Sequence, residues 1–206
     1  TPIIMVSDAP MLVVVNASSP FNSLKDLIAG AKAKPGQLTF GSPGTGSVNH
    51  MATEWLVNAA GAKALHVPYK GGAPAVSAVA GNEVVFTVAG LPGVLPHLMA
   101  KRVKVLGVTS AKRSPQAPEL PTLSEAGVKG YEATIWFGLL APAGTPQQIV
   151  GRLSQEIGKA LQQKTLRERF NTVDLTPTTP EGFADHIKRE MPKWRKVVTE
   201  AKITSL

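Results

Sequence analysis

Hydrophobic and polar positions follow two periods along this chain, and together they predict alternating strands and helices. The continuous apolar run at 11–15 favours a strand that is buried on both faces. Apolar residues at helical spacing predict helices, most clearly in 48–59, 146–161 and 180–198. Further short apolar runs predict strands at 38–40, 65–67, 84–89, 103–109 and 135–141. The alternation predicts an α/β fold with a mostly parallel sheet flanked by helices.

The segment 41–50, Gly-Ser-Pro-Gly-Thr-Gly-Ser-Val-Asn-His, joins a predicted strand to a predicted helix. Backbone N–H groups and the hydroxyls of Thr45 and Ser47 would gather at the positive end of that helix, which favours binding of a carboxylate or a phosphate. Ser47 is suited to cap the helix, and His50 lies off the apolar stripe, so it is expected to face the loop. A tight turn without a ligand is the alternative.

Better-known glycine loops do not fit this segment. A nucleotide-binding P-loop requires Lys where Gly46 stands, and a dinucleotide fingerprint requires Gly where Asn49 stands. The Gly-x-Ser-x-Gly motif of a nucleophile elbow is missing around Ser42 and Ser47. The sequence therefore predicts an anion site without a nucleotide cofactor.

A second glycine-rich loop at 68–73 follows another predicted strand and precedes Pro74, which suits the first turn of a helix. Ligands of parallel α/β sheets bind beyond the carboxyl ends of the strands. Both loops occupy that position, so we expect them to converge.

Composition narrows the function classes. Hydrophobic residues make up 43% and charged residues 17%, which is typical of a globular domain. The net charge of +8 favours acidic partners, but the basic residues are scattered and aromatic residues are few, which argues against a nucleic-acid partner. The chain has no cysteine, its histidines lack metal-ligand spacing, and it begins without the basic and apolar segments of a signal peptide. No metal and no cofactor are predicted.

Motifs along the whole chain resemble those of the Bug-type periplasmic receptors, the solute-binding (TctC-like) proteins of tripartite tricarboxylate transporters. The motifs are Phe40-Gly41-Ser42-Pro43-Gly44-Thr45-Gly46-Ser47 with His50, His66-Val67-Pro68-Tyr69-Lys70-Gly71 with Ala73-Pro74-Ala75, Leu95-Pro96-His97, Gly130-Tyr131-Glu132, and Trp136-Phe137-Gly138-Leu139 with Ala141-Pro142-Ala143-Gly144-Thr145-Pro146.

The resemblance implies a two-lobed receptor with a fold like that of the type II periplasmic binding proteins. It implies capture of a small mono- or dicarboxylate in the periplasm and delivery to a membrane permease, without catalysis. The ligand-binding residues expected on this basis are Ser42, Thr45, Gly46, Ser47, His50, Tyr69, Lys70, Gly71, Gly72, Ala73 and Trp136. For Trp136, packing near the hinge is an equally good interpretation.

Two departures from the family pattern qualify this expectation. The family normally begins with a first-lobe segment that is missing here, so residues 1–14 are expected to cross from the first lobe, 15–133 to form the second lobe, and 134–206 to form the C-terminal part of the first. The incomplete first lobe could pair with a second copy as a homodimer. Ala89 stands where the family often has Asp, which favours a plain carboxylate over an amino acid.

Two other functions compete with a receptor. A hydrolase or transferase could use Ser47 as nucleophile and His50 as base, with the glycine loop as an oxyanion cradle, although no Asp or Glu lies in either loop. A cytosolic ligand-sensing domain of a regulator could share the same lobe design.

Overall fold

The computed structural model describes residues 1–113 and 117–204. The chain divides into two compact units. The smaller unit comprises 1–9 and 135–195, and the larger comprises 10–134 and 196–206.

The larger unit contains a sheet in the order β3-β2-β4-β1-β5. The strands are β1 (Pro2–Asn16), β2 (Thr39–Ser42), β3 (Leu65–Pro68), β4 (Phe86–Gly90) and β5 (Val103–Val108). Strand β2 is parallel to β3 and β4, whereas β1 is antiparallel to both β4 and β5. Strands β2 to β5 therefore point in one direction, and β1 is inserted between β4 and β5 in the opposite direction.

A helix follows each of the strands β1 to β4, as the alternating pattern predicts. The helices are α1 (Leu24–Ala33), α2 (Val48–Ala59), α3 (Gly72–Ala80) and α4 (Leu91–Met99). Helix α4 begins directly after β4, and Pro92 lies in its first turn, where a helix does not need the missing N–H. Helix α3 begins at Gly72 rather than at Pro74.

The core of the larger unit lies around the inserted strand. Val13, Val14 and Val15 of β1 are fully buried, and they pair with residues 86–88 of β4. Within this core, Thr109 accepts the N–H of Met11 at 2.8 Å through Oγ1. A buried apolar run that is flanked by strands on both sides explains why 11–15 is hydrophobic at every position.

The smaller unit contains the start of β1 as far as residue 9 and β6 (Thr134–Leu140) from residue 135 onwards, and β6 pairs with β1. It also contains helices α5 (Gln147–Gln162) and α6 (Lys164–Arg169), and α7 (Pro180–Glu200) as far as residue 195. Its buried apolar residues include Ile3, Ile4, Val150 and Leu161. In the described part of the chain, no helix combines the length and the apolar character needed to span a bilayer.

The division into units differs from the predicted segments at three places, since residue 134 also groups with the larger unit. Residues 10–14 and 196–206 both group with the larger unit. The first segment does so because Met11 to Val15 pair residue by residue with Gly90 to Phe86. The assignment of the segments to lobes of a receptor stays a prediction.

Candidate functional site

Three helices begin at one edge of the sheet in the larger unit. Strands β3, β2 and β4 are adjacent, β2 is parallel to both neighbours, and α3, α2 and α4 follow their carboxyl ends. The first turn of a helix leaves N–H groups without intrahelical partners and carries a partial positive charge. This edge therefore collects backbone donors from three helix N-termini.

The two predicted loops lie side by side at this edge. A Cβ built on Gly72 would lie 3.9 Å from Cγ of Pro43, which places the start of α3 against the glycine loop. A Cβ built on Gly93 would lie 4.0 Å from the backbone nitrogen of Ala73, so the first turn of α4 also adjoins α3. The N-terminus of α3 thus adjoins both the loop that leads into α2 and the first turn of α4.

Several amides of the glycine loop are used within the loop. Gly44 N–H donates to Oγ of Ser42 at 3.1 Å, and Ser47 N–H donates to the carbonyl of Gly44 at 3.2 Å. Gly46 N–H donates to Nδ1 of His50 at 3.2 Å. These bonds fix the path of the loop and remove three amides from the set that could bind a ligand.

The remaining donors lie at Thr45 and at the start of α2. Thr45 is exposed, and among the described residues its N–H has no hydrogen-bond partner. Ser47 caps α2 by accepting the N–H of His50 at 3.3 Å. Val48 and Asn49 occupy the first and second helical positions, where the helix itself supplies no carbonyl.

Two histidines stack directly behind the loop. The rings of His50 and His66 are 3.9 Å apart between centroids, and both stack on Phe40. Nε2 of His66 lies 2.6 Å from Oγ of Ser42, and Nε2 of His50 lies 3.8 Å from Oε1 of Glu54. Burial, and secondly the neighbouring His66, lowers the pKa of His50 to about 4, and burial also lowers the pKa of His66. Both imidazoles are therefore neutral at pH 7.

Two predicted ligand-binding side chains are occupied by these contacts. Ser42 is fully buried, and its hydroxyl contacts His66 and the backbone of Gly44. His50 is 5% exposed and faces the loop as expected, but its Nδ1 accepts an amide of the protein. In this structure both side chains support the loop rather than offer a free donor.

The second loop supplies donors from the backbone alone. Gly71, at φ +128, precedes α3 without any side-chain cap. Gly72 and Ala73 take the first two helical positions, and Pro74 at the third has no N–H. The start of α3 therefore offers two amides and no competing side chain. Lys70 is exposed beside them.

Tyr69 is placed for packing. Its N–H donates to the carbonyl of Ser42 at 2.8 Å, and its ring lies 3.2 Å from the Cβ position of Gly41. Burial, the nearby Glu83 carboxylate and a hydrogen bond to that carboxylate raise the pKa of Tyr69. The hydroxyl is thus bonded to Glu83, a residue that lies beyond the end of α3.

Trp136 lies in the smaller unit. Its ring makes edge contacts with Phe183 and His186 of α7, at centroid distances of 5.7 and 5.2 Å. Within this unit it packs β6 against α7. A contact with a ligand stays a prediction.

The serine and histidine of the enzyme hypothesis do not form a dyad. The hydroxyl of Ser47 donates to the carbonyl of Gly44 at 2.7 Å, and Nδ1 of His50 is occupied by Gly46. A serine–histidine contact does occur between Ser42 and His66, but that serine is fully buried. In the described residues no cluster of His, Asp and Glu is arranged to hold a metal ion.

Sequence reasoning missed His66 and Asn49. Asn49 is 7% exposed, and its Nδ2 donates to the carbonyl of Val88 at 2.8 Å, which ties the start of α2 to β4. His66 reaches the loop only because β3 pairs with β2 in the register Phe40↔His66. The position of His66 two residues before the end of a strand was the one hint available.

In open α/β sheets, ligands bind beyond the carboxyl ends of the parallel strands, which is the edge where these helix N-termini lie. Residues 1–203 match the family described as the tripartite tricarboxylate transporter family receptor. The chain belongs to this family.

Two curated relatives are similar in sequence to this chain along nearly its whole length. It is 37% identical over 207 aligned positions to a UPF0065 protein of the tcbD-tcbE intergenic region of Pseudomonas sp. strain P51, covering 99% of this chain and 62% of the relative. It is 36% identical to BugT of Bordetella pertussis, covering 97% of this chain and 62% of the relative. The chain thus spans about 62% of the length of these curated relatives.

Three solved structures superpose closely on this chain. Rpa4515 of R. palustris with adipate matches with a TM-score of 0.90 at 36% identity, covering 100% of this chain and 70% of that one. The periplasmic binding protein BugD gives 0.88 at 31%, with the same coverages of 100% and 70%. MatC of Rhodopseudomonas palustris with bound malate gives 0.87 at 28%, covering 96% and 69%. The fold of a periplasmic binding protein is therefore confirmed.

Proposed function

We propose that this protein is a solute-binding receptor that captures a small organic mono- or dicarboxylate and performs no catalysis. The observation that carries the proposal is the pair of adjacent helix N-termini, α2 and α3, where the amides of Thr45, Val48, Gly72 and Ala73 have no hydrogen-bond partner among the described residues. One carboxylate has two oxygens and accepts several hydrogen bonds, so it matches amides that come from two helices.

The physical basis of binding is hydrogen bonding between backbone amides and the charged carboxylate. Hydrogen bonds to a charged group contribute about 1.5–3 kcal/mol each, and each helix terminus adds about 0.3–1 kcal/mol. Neutral His50 and His66 add no cation. Such a site holds an anion firmly and releases it unchanged.

The class of ligand follows from the chemistry of the two loops. Neither loop contains Asp or Glu, and Ala89 at the end of β4 is 4% exposed and offers no carboxylate to an ammonium group. A ligand that carries only carboxylates suits this edge better than an amino acid. The adipate and malate named with Rpa4515 and MatC belong to that class.

The family supports two further proposals for the whole protein. We propose that it acts in the periplasm, as BugD does, and that it delivers the carboxylate to the membrane permease of a tripartite transporter. Uptake of labelled adipate or malate by cells with and without the gene tests the transport step. Unchanged uptake of both compounds, and of other dicarboxylates, would count against it.

Binding is tested by calorimetric titration of the chain with adipate and malate, with adipamide as the uncharged control. We expect binding of at least one dicarboxylate and none of the diamide. Gly72→Pro removes one donor at the first helical position, where proline is tolerated, and Gly72→Ala keeps that donor. The proline variant should bind at least tenfold more weakly than the alanine variant. Equal affinities would show that this amide does not bind the ligand.

We also propose that the smaller unit associates with a second copy of the chain. Large apolar side chains of β6 and α5 are exposed in it, including Phe137, Leu140 and Ile149 at 55%, 62% and 50%. Exposed apolar surface of this extent is typical of an interface. Analytical ultracentrifugation should show a dimer that Phe137→Ser with Leu140→Ser dissociates, and a monomer at all concentrations would contradict it.

A further inference from the structure

We propose that His50 and His66 are positioning residues that hold the glycine loop in the shape that presents the Thr45 amide to a carboxylate, and that neither ring touches the ligand. This inference rests on the proposed function. It assigns to His50 a role different from the ligand contact that the sequence suggests, and it assigns a role to His66, which the sequence left without one.

The loop needs an external support because its backbone is intrinsically free. Gly44 and Gly46 stand at φ +131 and +78, and a Cβ on either residue would meet nothing within 4 Å. Glycine loses more conformational freedom on folding than any other residue. Without side-chain contacts at these positions, the loop depends on its hydrogen bonds to keep one shape.

The imidazoles supply those hydrogen bonds on both sides of Thr45. Nδ1 of His50 accepts the N–H of Gly46 at 3.2 Å. Nε2 of His66 lies 2.6 Å from Oγ of Ser42, and that oxygen accepts the N–H of Gly44 at 3.1 Å. The residues before and after Thr45 are thus tied to one ring each, the first through Ser42.

Stacking fixes the two rings relative to each other. Their centroids are 3.9 Å apart, and Phe40 of β2 stacks on both. The histidines come from different elements, α2 and β3, so the stack joins the helix that starts at the loop to the neighbouring strand. The rings thus support the residues before and after Thr45, while Thr45 itself is exposed.

The hydrogen bond from Gly46 requires one particular form of His50. An acceptor at Nδ1 means a neutral ring with its proton on Nε2. Glu54 supports that form, because its Oε1 lies 3.8 Å from Nε2. A protonated His50 would direct an N–H at the N–H of Gly46 and break the contact.

The test combines matched substitutions with titration of adipate and malate. His50→Asn places an amide oxygen near the position of Nδ1 and can still accept from Gly46, whereas His50→Phe keeps an aromatic ring but has no acceptor. We expect His50→Asn to bind within about threefold of the unmodified chain and His50→Phe to bind at least tenfold more weakly. His97→Phe is the control, because His97 contacts Ser77 at 3.2 Å on α3, outside both loops.

Two binding results overturn the proposal. The first is unchanged affinity in His50→Phe with the control intact. The second is a His50→Asn variant that binds as weakly as His50→Phe, because an accepting group at Nδ1 would then not suffice and a direct contact between ring and ligand would be indicated.

A second measurement does not need the ligand. Two-bond ¹⁵N–¹H spectra of the unmodified chain at pH 7 should show His50 neutral and protonated on Nε2, and hydrogen exchange of the Gly46 amide should accelerate at least tenfold in His50→Phe but not in His50→Asn. If neither adipate, nor malate, nor any other small mono- or dicarboxylate binds, the proposed function fails, and these spectra still decide the positioning role. A proton on Nδ1 of His50, or unchanged exchange at Gly46, would overturn it.

Discussion

The backbone N–H of Gly46 donates to Nδ1 of His50, four residues further along the chain, at 3.2 Å. This contact changes the interpretation of both residues. Gly46 does not offer its amide to a ligand, and His50 is buried with its accepting nitrogen already used. The free donors lie instead at Thr45 and at the first positions of α2 and α3.

Burial of His50 predicts a pH dependence of stability. Its pKa is about 4 in the folded chain against 6.5 for an unperturbed histidine, so between these values the unfolded chain binds more protons. The free energy of unfolding should therefore fall as the pH is lowered from 6.5 towards 4, by on the order of 2 kcal/mol. Urea titrations between pH 4.5 and 7.5 measure this.

Two neighbours of His50 also titrate in this pH range, so the stability of the unmodified chain has to be compared with that of a variant without His50. The lowered pKa of His66 acts in the same direction, and Glu54, whose pKa is raised by burial, acts in the opposite direction because its contribution is lost as the pH rises. His50→Asn removes the contribution of His50 and leaves those of His66 and Glu54 in place. The variant should lose less stability on acidification than the unmodified chain, and parallel curves would contradict the assignment.

Substitution by alanine should lower the free energy of unfolding by different amounts at Gly44 and at Gly46. Gly46 at φ +78 is close to the left-handed region, so Gly46→Ala should cost about 1 kcal/mol, whereas Gly44 at φ +131 lies outside it, so Gly44→Ala should cost about 2–3 kcal/mol. Neither added Cβ meets an atom within 4 Å, so the cost comes from the backbone. Midpoints of urea unfolding provide the comparison.

The control for this pair is a glycine with ordinary helical geometry. Gly151 lies within α5, and a Cβ there meets nothing within 4 Å. Gly151→Ala should leave stability unchanged or raise it by up to about 1 kcal/mol. Equal costs for Gly44→Ala and Gly46→Ala would show that the loop relaxes.

The helices, the strands and the glycine loops were predictable because each depends on residues that are close together in the sequence. Apolar periodicity marks each helix and strand, and Ser47 caps α2 as its position before Val48 predicts. The direction of β1 was not predictable, because a buried apolar run reads the same in either direction. The role of His66 was also hidden, since it depends on a pairing with Phe40 between separate strands.

Asn49 should anchor the start of α2. Its Nδ2 donates to the carbonyl of Val88 at 2.8 Å in a buried setting, so Asn49→Ala should cost about 1–3 kcal/mol. Asn49→Asp replaces the donor by a buried charge facing a carbonyl, so it should cost more than about 3 kcal/mol at pH 7. The exposed Asn58 of the same helix is the control, because Asn58→Ala should change unfolding by less than about 0.5 kcal/mol. An aspartate variant as stable as the alanine variant would contradict this account.

A single methyl group added at Gly107 of β5 should be costly, because the backbone and a side chain already fill that space. A Cβ at this position would lie 2.6 Å from the carbonyl oxygen of Pro121 and would also overlap the side chain of Leu24. The carbonyl cannot easily move, because it accepts the N–H of Val108 at 2.9 Å. We therefore expect Gly107→Ala to cost at least about 2–3 kcal/mol.

A double-mutant cycle separates the two overlaps at Gly107. Leu24→Ala removes a side chain that is 1% exposed and by itself should cost about 2–5 kcal/mol. In the double variant the methyl group of Ala at 107 meets only the backbone of Pro121, so the combined loss should be smaller than the sum of the single losses. If the losses in free energy of unfolding of the two single variants add up to that of the double variant, the side chain of Leu24 moves aside for the methyl group at little cost. The contact with the backbone of Pro121 then accounts for the whole effect of Gly107→Ala.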